Sequence, residues 1–163
     1  MNSDQYEKAR QFQQLHQQEG CFLMPNCWDA GTAKMLVDAG FKAIATTSAG
    51  VAFSLGHPDN VFCSQQARLG RNDMLIEVGK IARAVSVPVS ADLEAGFGED
   101  PAAVGETIRL AIAAGAVAGN IEDYRGDKEE PLYELQESVD RIVAAKRAIS
   151  DSEIPFTLVA RSD

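Results

Sequence analysis

Val85-Ser86-Val87-Pro88-Val89-Ser90-Ala91-Asp92-Leu93-Glu94-Ala95-Gly96-Phe97-Gly98 decides how this chain is read. The apolar run ending at Val89 predicts a buried strand over 87–92, and two carboxylates, Asp92 and Glu94, stand where it stops. Gly96 and Gly98 then allow a sharp turn and a close backbone approach. A core strand that runs into paired acids and glycines has the makings of a hard-metal or acid/base site.

The same arrangement recurs on both sides. Upstream, Cys21–Pro25 reads as a first strand, and Asp29 as the cap of a helix over 30–39 that stops at Gly40. Phe41–Thr47 reads as a second strand. The Gly- and Ser-bearing stretch 48–71 has no clear period and is expected to be a loop that gates a site. A helix capped by Asn72 or Asp73 follows, with Leu75, Val78, Ile81, Ala82 and Val85 as its stripe. Downstream, Asp100-Pro101 starts a helix whose inner face is Val104, Ile108, Ala111 and Ile112, ending at Gly115. Ala116–Ile121 is a fourth strand and ends in Glu122-Asp123. Pro131 is expected to open a helix with Leu135, Val139, Ile142 and Val143 facing inward. Phe156–Ala160 is a fifth strand, followed by Arg161-Ser162-Asp163. Residues 1–20 supply one further, largely polar helix. Strands alternating with helices indicate an α/β domain built on a parallel sheet; an open doubly wound sheet and a (β/α) barrel both satisfy the pattern.

The chain has 163 residues, one ordinary domain, and a net charge of −9. That charge disfavours nucleic acid and anionic membrane as partners, and no apolar run nears the ~20 residues that span a bilayer. Cys21, Cys27 and Cys63 are an odd set without CxxC spacing, which points to reduced thiols and a cytoplasmic setting.

In parallel α/β architectures the C-terminal strand ends form one rim, where active sites lie. Asn26, Trp28 and Asp29, then Thr47, Ser48, Ala49 and Gly50, Asp92 with Glu94, Glu122 with Asp123, and Arg161 with Asp163 are all expected there. Converging carboxylates repel, and a divalent cation relieves this. All-oxygen ligands without His or Cys favour Mg²⁺ or Mn²⁺. Arg161 would offer a fork for a carboxylate or a developing enolate. Blander roles stand beside these: Asp29 and Asp100 as helix caps, Asp123 as a cap or a partner of Arg125, Arg161 as a structural bridge to Glu122, Trp28 as rim packing.

Met24-Pro25-Asn26-Cys27-Trp28-Asp29-Ala30, Thr47-Ser48-Ala49-Gly50-Val51-Ala52, Ala91 to Gly98, Asn120-Ile121-Glu122-Asp123 and Val159-Ala160-Arg161 occur in an order and spacing that resemble the isocitrate lyase/phosphoenolpyruvate mutase superfamily from about Gln11 onward. The resemblance implies a (β/α)8 TIM barrel with Mg²⁺ at its rim. It implies chemistry on a 2-oxo or 2-hydroxy carboxylate through an enolate: cleavage of a C–C bond, or rearrangement of a C–P bond as in a phosphonopyruvate mutase. It further implies metal-site roles for Asp92, Glu94 and Glu122, and substrate and enolate binding by Arg161. Trp28, Thr47, Ser48 and Ala49 fall to the substrate side, Asp59 to the gating-loop acid, and the assembly to a homo-oligomer. Isocitrate and methylisocitrate lyases carry a Cys and a His soon after the fourth-strand acids. Tyr124 to Pro131 here has neither, which argues against those two activities. A full barrel takes ~250 residues, so the expectation is a C-terminally truncated member with only the first five βα units, and an inactive barrel fragment is the rival reading.

Overall fold

The computed structural model describes residues 3–59, 69–127 and 129–163. Five strands, β1 (Asn26–Cys27), β2 (Ile44–Thr46), β3 (Val89–Asp92), β4 (Ala118–Glu122) and β5 (Thr157–Arg161), form one sheet in the order β1-β2-β3-β4-β5. Every neighbouring pair is parallel. This order resolves the two architectures left open by the sequence. A doubly wound sheet reverses its strand order at a switch point, whereas this sheet advances one strand at a time, as a barrel wall does.

The helices are α1 (Ser3–Gln17), α2 (Ala30–Asp38), α3 (Ser48–Ser54), α4 (Arg71–Ala84), α5 (Pro101–Ala114) and α6 (Leu135–Ser150). None of the described helices is long and apolar enough to cross a membrane. Several boundaries follow from local chemistry. Asp29 and Thr32 make a reciprocal capping box at α2. The Asp100 carboxylate accepts from the Ala103 N–H, Pro101 occupies the first turn of α5, and Gly115 ends that helix at φ 105°.

The structure corrects the sequence reading in four places. The first strand is not Cys21–Pro25 but Asn26–Cys27, because the register joins Asn26 to Ala45 and Cys27 to Thr46; Phe22 and Met24 instead pack on the cluster around α1. The supposed loop 48–71 begins with helix α3, because the Thr47 hydroxyl caps it by accepting from the Gly50 N–H at 3.3 Å. Helix α4 starts at Arg71 behind Gly70, with no side-chain cap from Asn72 or Asp73. Finally, α6 starts at Leu135, not Pro131. Before it, the Arg125 N–H donates to Pro131 O and the Tyr133 N–H to Asp123 O.

The buried face of α6 is also different from the expected stripe. Arg141, Ala145 and Ala148 are buried, whereas Leu135, Val139 and Val143 are exposed and Ile142 is half-buried. Close packing is the reason. A Cβ on Gly105 of α5 would lie 3.4 Å from the Ala144 carbonyl, so the two helices touch through small residues and the larger apolar ones point elsewhere.

Helix α1 covers the N-terminal ends of the strands. Ala9 and Phe12 are buried with Ala43, Val117, Ala118 and Ile154. Gln5 Nε2 donates to the carbonyls of Ile112 and Ala116, Lys8 Nζ to Val85 O, and Gln13 Nε2 to Pro155 O. The C-terminal strand ends are left free for polar groups.

Candidate active site at the C-terminal strand ends

Asp92 closes β3 and is held by four donors. Its Oδ2 accepts from the Ser48 N–H at 3.0 Å and the Ser48 Oγ–H at 2.8 Å. Its Oδ1 accepts from Asn120 Nδ2 at 3.0 Å and from the Glu94 N–H at 3.3 Å. The Asp92 N–H donates to Thr46 Oγ1 at 2.9 Å. Such bonds fix the carboxylate's direction as well as its charge.

Asn120 and Glu122 are two apart on β4 and so share one face of the strand. Asn120 Nδ2 reaches from Asp92 to Glu122 Oε1, the second contact being long at 3.5 Å. Arg161 at the end of β5 donates through Nη1 to Glu122 Oε1 at 2.6 Å. Its Nε and Nη2 donate to Asp163 Oδ1. A line of polar groups, Ser48–Asp92–Asn120–Glu122–Arg161, thus crosses four consecutive strand ends. The structural bridge between Arg161 and Glu122 exists and lies inside this line.

Burial pushes the Glu122 carboxyl up from its ordinary 4.5 to about 7, and the negative charge of Asp92 adds to the rise while Arg161 opposes it. Asp163 and Asp59 also raise it, so Asp59 lies near enough for its charge to be felt at Glu122. Residues 60–68, the rest of the expected gating segment, lie outside the described residues.

Glu94 takes a different course. Its φ of 48° turns the chain into the left-handed region directly after Asp92. It lines a cavity of about 310 Å³ together with Arg71, Phe97, Tyr124, Arg125 and Tyr133. Among the described residues, no three His, Cys, Asp or Glu side chains are grouped to hold one metal ion. The structure brings Asp92 and Glu122 together through Asn120, and the Glu122 N–H donates to Glu94 O at 2.9 Å.

The remaining expected residues fall into place around this line. Ser48 faces Asp92, whereas the Thr47 hydroxyl is engaged as the α3 cap and Ala49 lies within that helix. Trp28 is 41% exposed; a Cβ on Gly50 would stand 2.6 Å from Thr47 Cγ2 and 3.1 Å from Trp28 Cβ, so a larger residue there would have to shift Thr47. The Asp29 carboxyl is held below its ordinary value, chiefly by the Thr32 N–H, as a cap. Asp123 pairs not with Arg125 but with the far end of β5: it accepts from Ser162 Oγ and the Asp163 N–H. Arg125 lies 3.6 Å from Glu130 instead. Burial raises the Cys27 thiol to about 11, and its Sγ donates to Ala45 O, so it is a packed group and no nucleophile.

Asn120 is the residue that sequence reasoning passed over. Its signal was present, a polar side chain inside an apolar strand and two residues before Glu122. Thr46, only 2% exposed at the end of β2, gave the same signal.

The family profile described as phosphoenolpyruvate phosphomutase matches residues 12–163. The chain belongs to this family. A structure from Burkholderia cenocepacia J2315 described as a lyase/mutase superposes with a TM-score of 0.91 at 48% identity, covering 99% of this chain and 55% of that one. The structure of 2,3-dimethylmalate lyase, a phosphoenolpyruvate mutase/isocitrate lyase superfamily member, gives a TM-score of 0.82 at 28% identity, covering 100% and 54%. Among curated proteins, the 2-methylisocitrate lyase of Escherichia coli K12 is 33% identical over 142 residues, 83% of this chain and 45% of that protein. The chain thus spans about half the length of the relatives it matches. The phosphoenolpyruvate mutase/isocitrate lyase membership expected from the five motifs is confirmed, and with it the barrel fold, of which the five strands form one arc.

Proposed function

We propose that this chain carries part of the active site of a Mg²⁺-dependent lyase that cleaves a C–C bond of a 2-oxo or 2-hydroxy carboxylate through an enolate. The observation that supports it best is the pair of carboxylates, Asp92 and Glu122, bridged by Asn120 and followed by Arg161 on the next strand end. Mg²⁺ keeps several waters and takes one or two direct carboxylates, and a facing pair of acids without His or Cys suits it. Mn²⁺ fits the same donors. Asp92 and Glu122 would hold the ion. Glu94, two residues after Asp92, would act through metal-bound water. The bound cation would supply Lewis-acid stabilisation of an oxo-acid oxygen.

The chain's own residues do the rest. Ser48 and Asn120 keep the Asp92 oxygens aimed. The Arg161 fork, half-exposed at the rim, offers fixed N–H donors to a substrate carboxylate and to charge that develops on an enolate oxygen. Trp28 and the first turn of α3, Thr47 to Gly50, would face the substrate, and Asp59 would serve as the acid of the gating segment. The substrate is of the oxaloacetate or methylisocitrate kind, with the missing Cys and His after Asp123 favouring the former.

Oxaloacetate, 2-methylisocitrate and phosphonopyruvate offered with Mg²⁺, with products followed by proton and phosphorus NMR, test this. Cleavage of a C–C bond that disappears in Glu122→Gln and on chelation is the expected result. Turnover unchanged in Glu122→Gln overturns the assignment. Conversion of phosphonopyruvate alone would replace it with C–P mutase chemistry, and no turnover together with no Mn²⁺ uptake would identify a catalytically inactive chain.

A further inference from the structure

Arg141 is the largest fully buried side chain among the described residues, at 1% exposure on α6. Its hydrogen-bond partners are all backbone carbonyls of one short loop. Nη1 donates to Glu99 O at 2.9 Å, and Nη2 donates to Gly98 O at 2.8 Å and to Ala95 O. The buried Thr107 hydroxyl takes a fourth carbonyl of the same loop, Gly96 O, at 2.6 Å. Two buried side chains therefore satisfy the carbonyls of residues 95, 96, 98 and 99.

This loop needs such support. Glu94 and Phe97 have φ values of 48° and 55°, a region that side chains with a Cβ seldom enter, and such conformations persist only where the surroundings impose them. The other face of the Arg141 guanidinium lies over the Tyr133 ring, 4.2 Å from its centroid. The Tyr133 N–H donates to Asp123 O at 2.8 Å, directly after Glu122.

We infer that Arg141 is a positioning residue that ties the loop after β3, which carries Glu94, to the turn after β4, which carries Asp123, and so holds the Asp92 and Glu122 ends in register. A simple packing role is a poor account of it. Its buried Nε–H has no hydrogen-bond partner among the described residues, and an apolar side chain of the same bulk would fill that space without a buried charge. What the guanidinium supplies, and Leu or Met would not, is a planar fork that fits several carbonyls at once. The link to cation binding rests on the function proposed above; the clamp itself does not.

The test uses the whole chain with Arg141→Lys, Arg141→Gly and, as a control on the same buried helix face, Ala148→Gly. Arg141→Lys keeps the charge and loses the fork. Exchange at amides 95–99 is expected to speed up about tenfold more than at β3 and β4, and Mn²⁺ affinity, read by paramagnetic titration, to fall about fivefold. Ala148→Gly should lower the melting temperature and leave Mn²⁺ affinity unchanged. Methylguanidinium should restore loop protection and Mn²⁺ affinity to Arg141→Gly. Wild-type exchange at 95–99 in Arg141→Lys overturns the inference, as does faster exchange spread evenly over all amides or an equal loss of Mn²⁺ affinity in Ala148→Gly. If the wild-type chain takes up no Mn²⁺, the proposed function fails, and the exchange pattern alone decides the clamp.

Discussion

The two ends of the parallel sheet are built on opposite rules. At the N-terminal ends, α1 closes the mouth with Phe12 and Ala9 against Ala43, Val117 and Ile154, and its polar side chains satisfy carbonyls that would otherwise lie bare. At the C-terminal ends, burial first and the nearby Asp92 charge second push the Glu122 carboxyl up to about 7. One end satisfies strand-end carbonyls with side chains of α1, and the other holds two carboxylates near each other through Asn120. The difference separates an end packed for stability from the rim on which barrels of this kind carry their sites.

Breaking the lower end should cost most. Phe12 is 1% exposed, and Phe12→Ala is expected to remove about 3–5 kcal/mol of stability in urea unfolding. Below that transition, Mn²⁺ affinity should stay at the wild-type value; a matching loss of affinity would show that the ends are not independent.

The rim should give the next largest effect, and of the opposite sense. Folding raises the Glu122 carboxyl from 4.5 to about 7, so the folded state is favoured while this group is protonated in both states. That contribution is complete below the unfolded value and is lost as pH climbs through the folded one. Without added metal, urea-unfolding free energy should fall by about 3 kcal/mol between pH 4.5 and 7.5 from this group. In Glu122→Gln that decline should vanish. A decline of the same size in the variant would assign it to other residues.

Asp29 sharpens the contrast at the smallest scale, because it is a carboxylate at the rim that serves structure. Asp29→Ala removes the α2 cap and should cost about 1 kcal/mol in the same measurement. Mn²⁺ affinity should not change; a fall would bring Asp29 into the site.

Much of this was legible in the chain. Asp100-Pro101 and Gly115 marked α5 because a cap, a fixed φ and a left-handed terminus are local effects that need no tertiary partner. The Leu75, Val78 and Ile81 stripe marked α4 for the same kind of reason. The α6 face is not legible from apolar size, because its close contact with Gly105 of α5 selects small residues such as Ala145 and Ala148 for burial. The left-handed backbone at Glu94 was not legible, since spacing puts it beside Asp92 and only the structure gives its φ of 48°.

The sequence by itself determined the alternation of strands and helices, the acids and the arginine at the strand ends, and the family. These rest on local propensity and on motifs that keep their order in the chain. Only the tertiary structure decided that the strands follow one another without reversal, that Asn120 bridges Asp92 to Glu122, and that Arg141 clamps the neighbouring loop. The Asn120–Asp92 and Arg141–Ala95 contacts join residues 28 and 46 positions apart, and no periodicity reports which distant groups will meet.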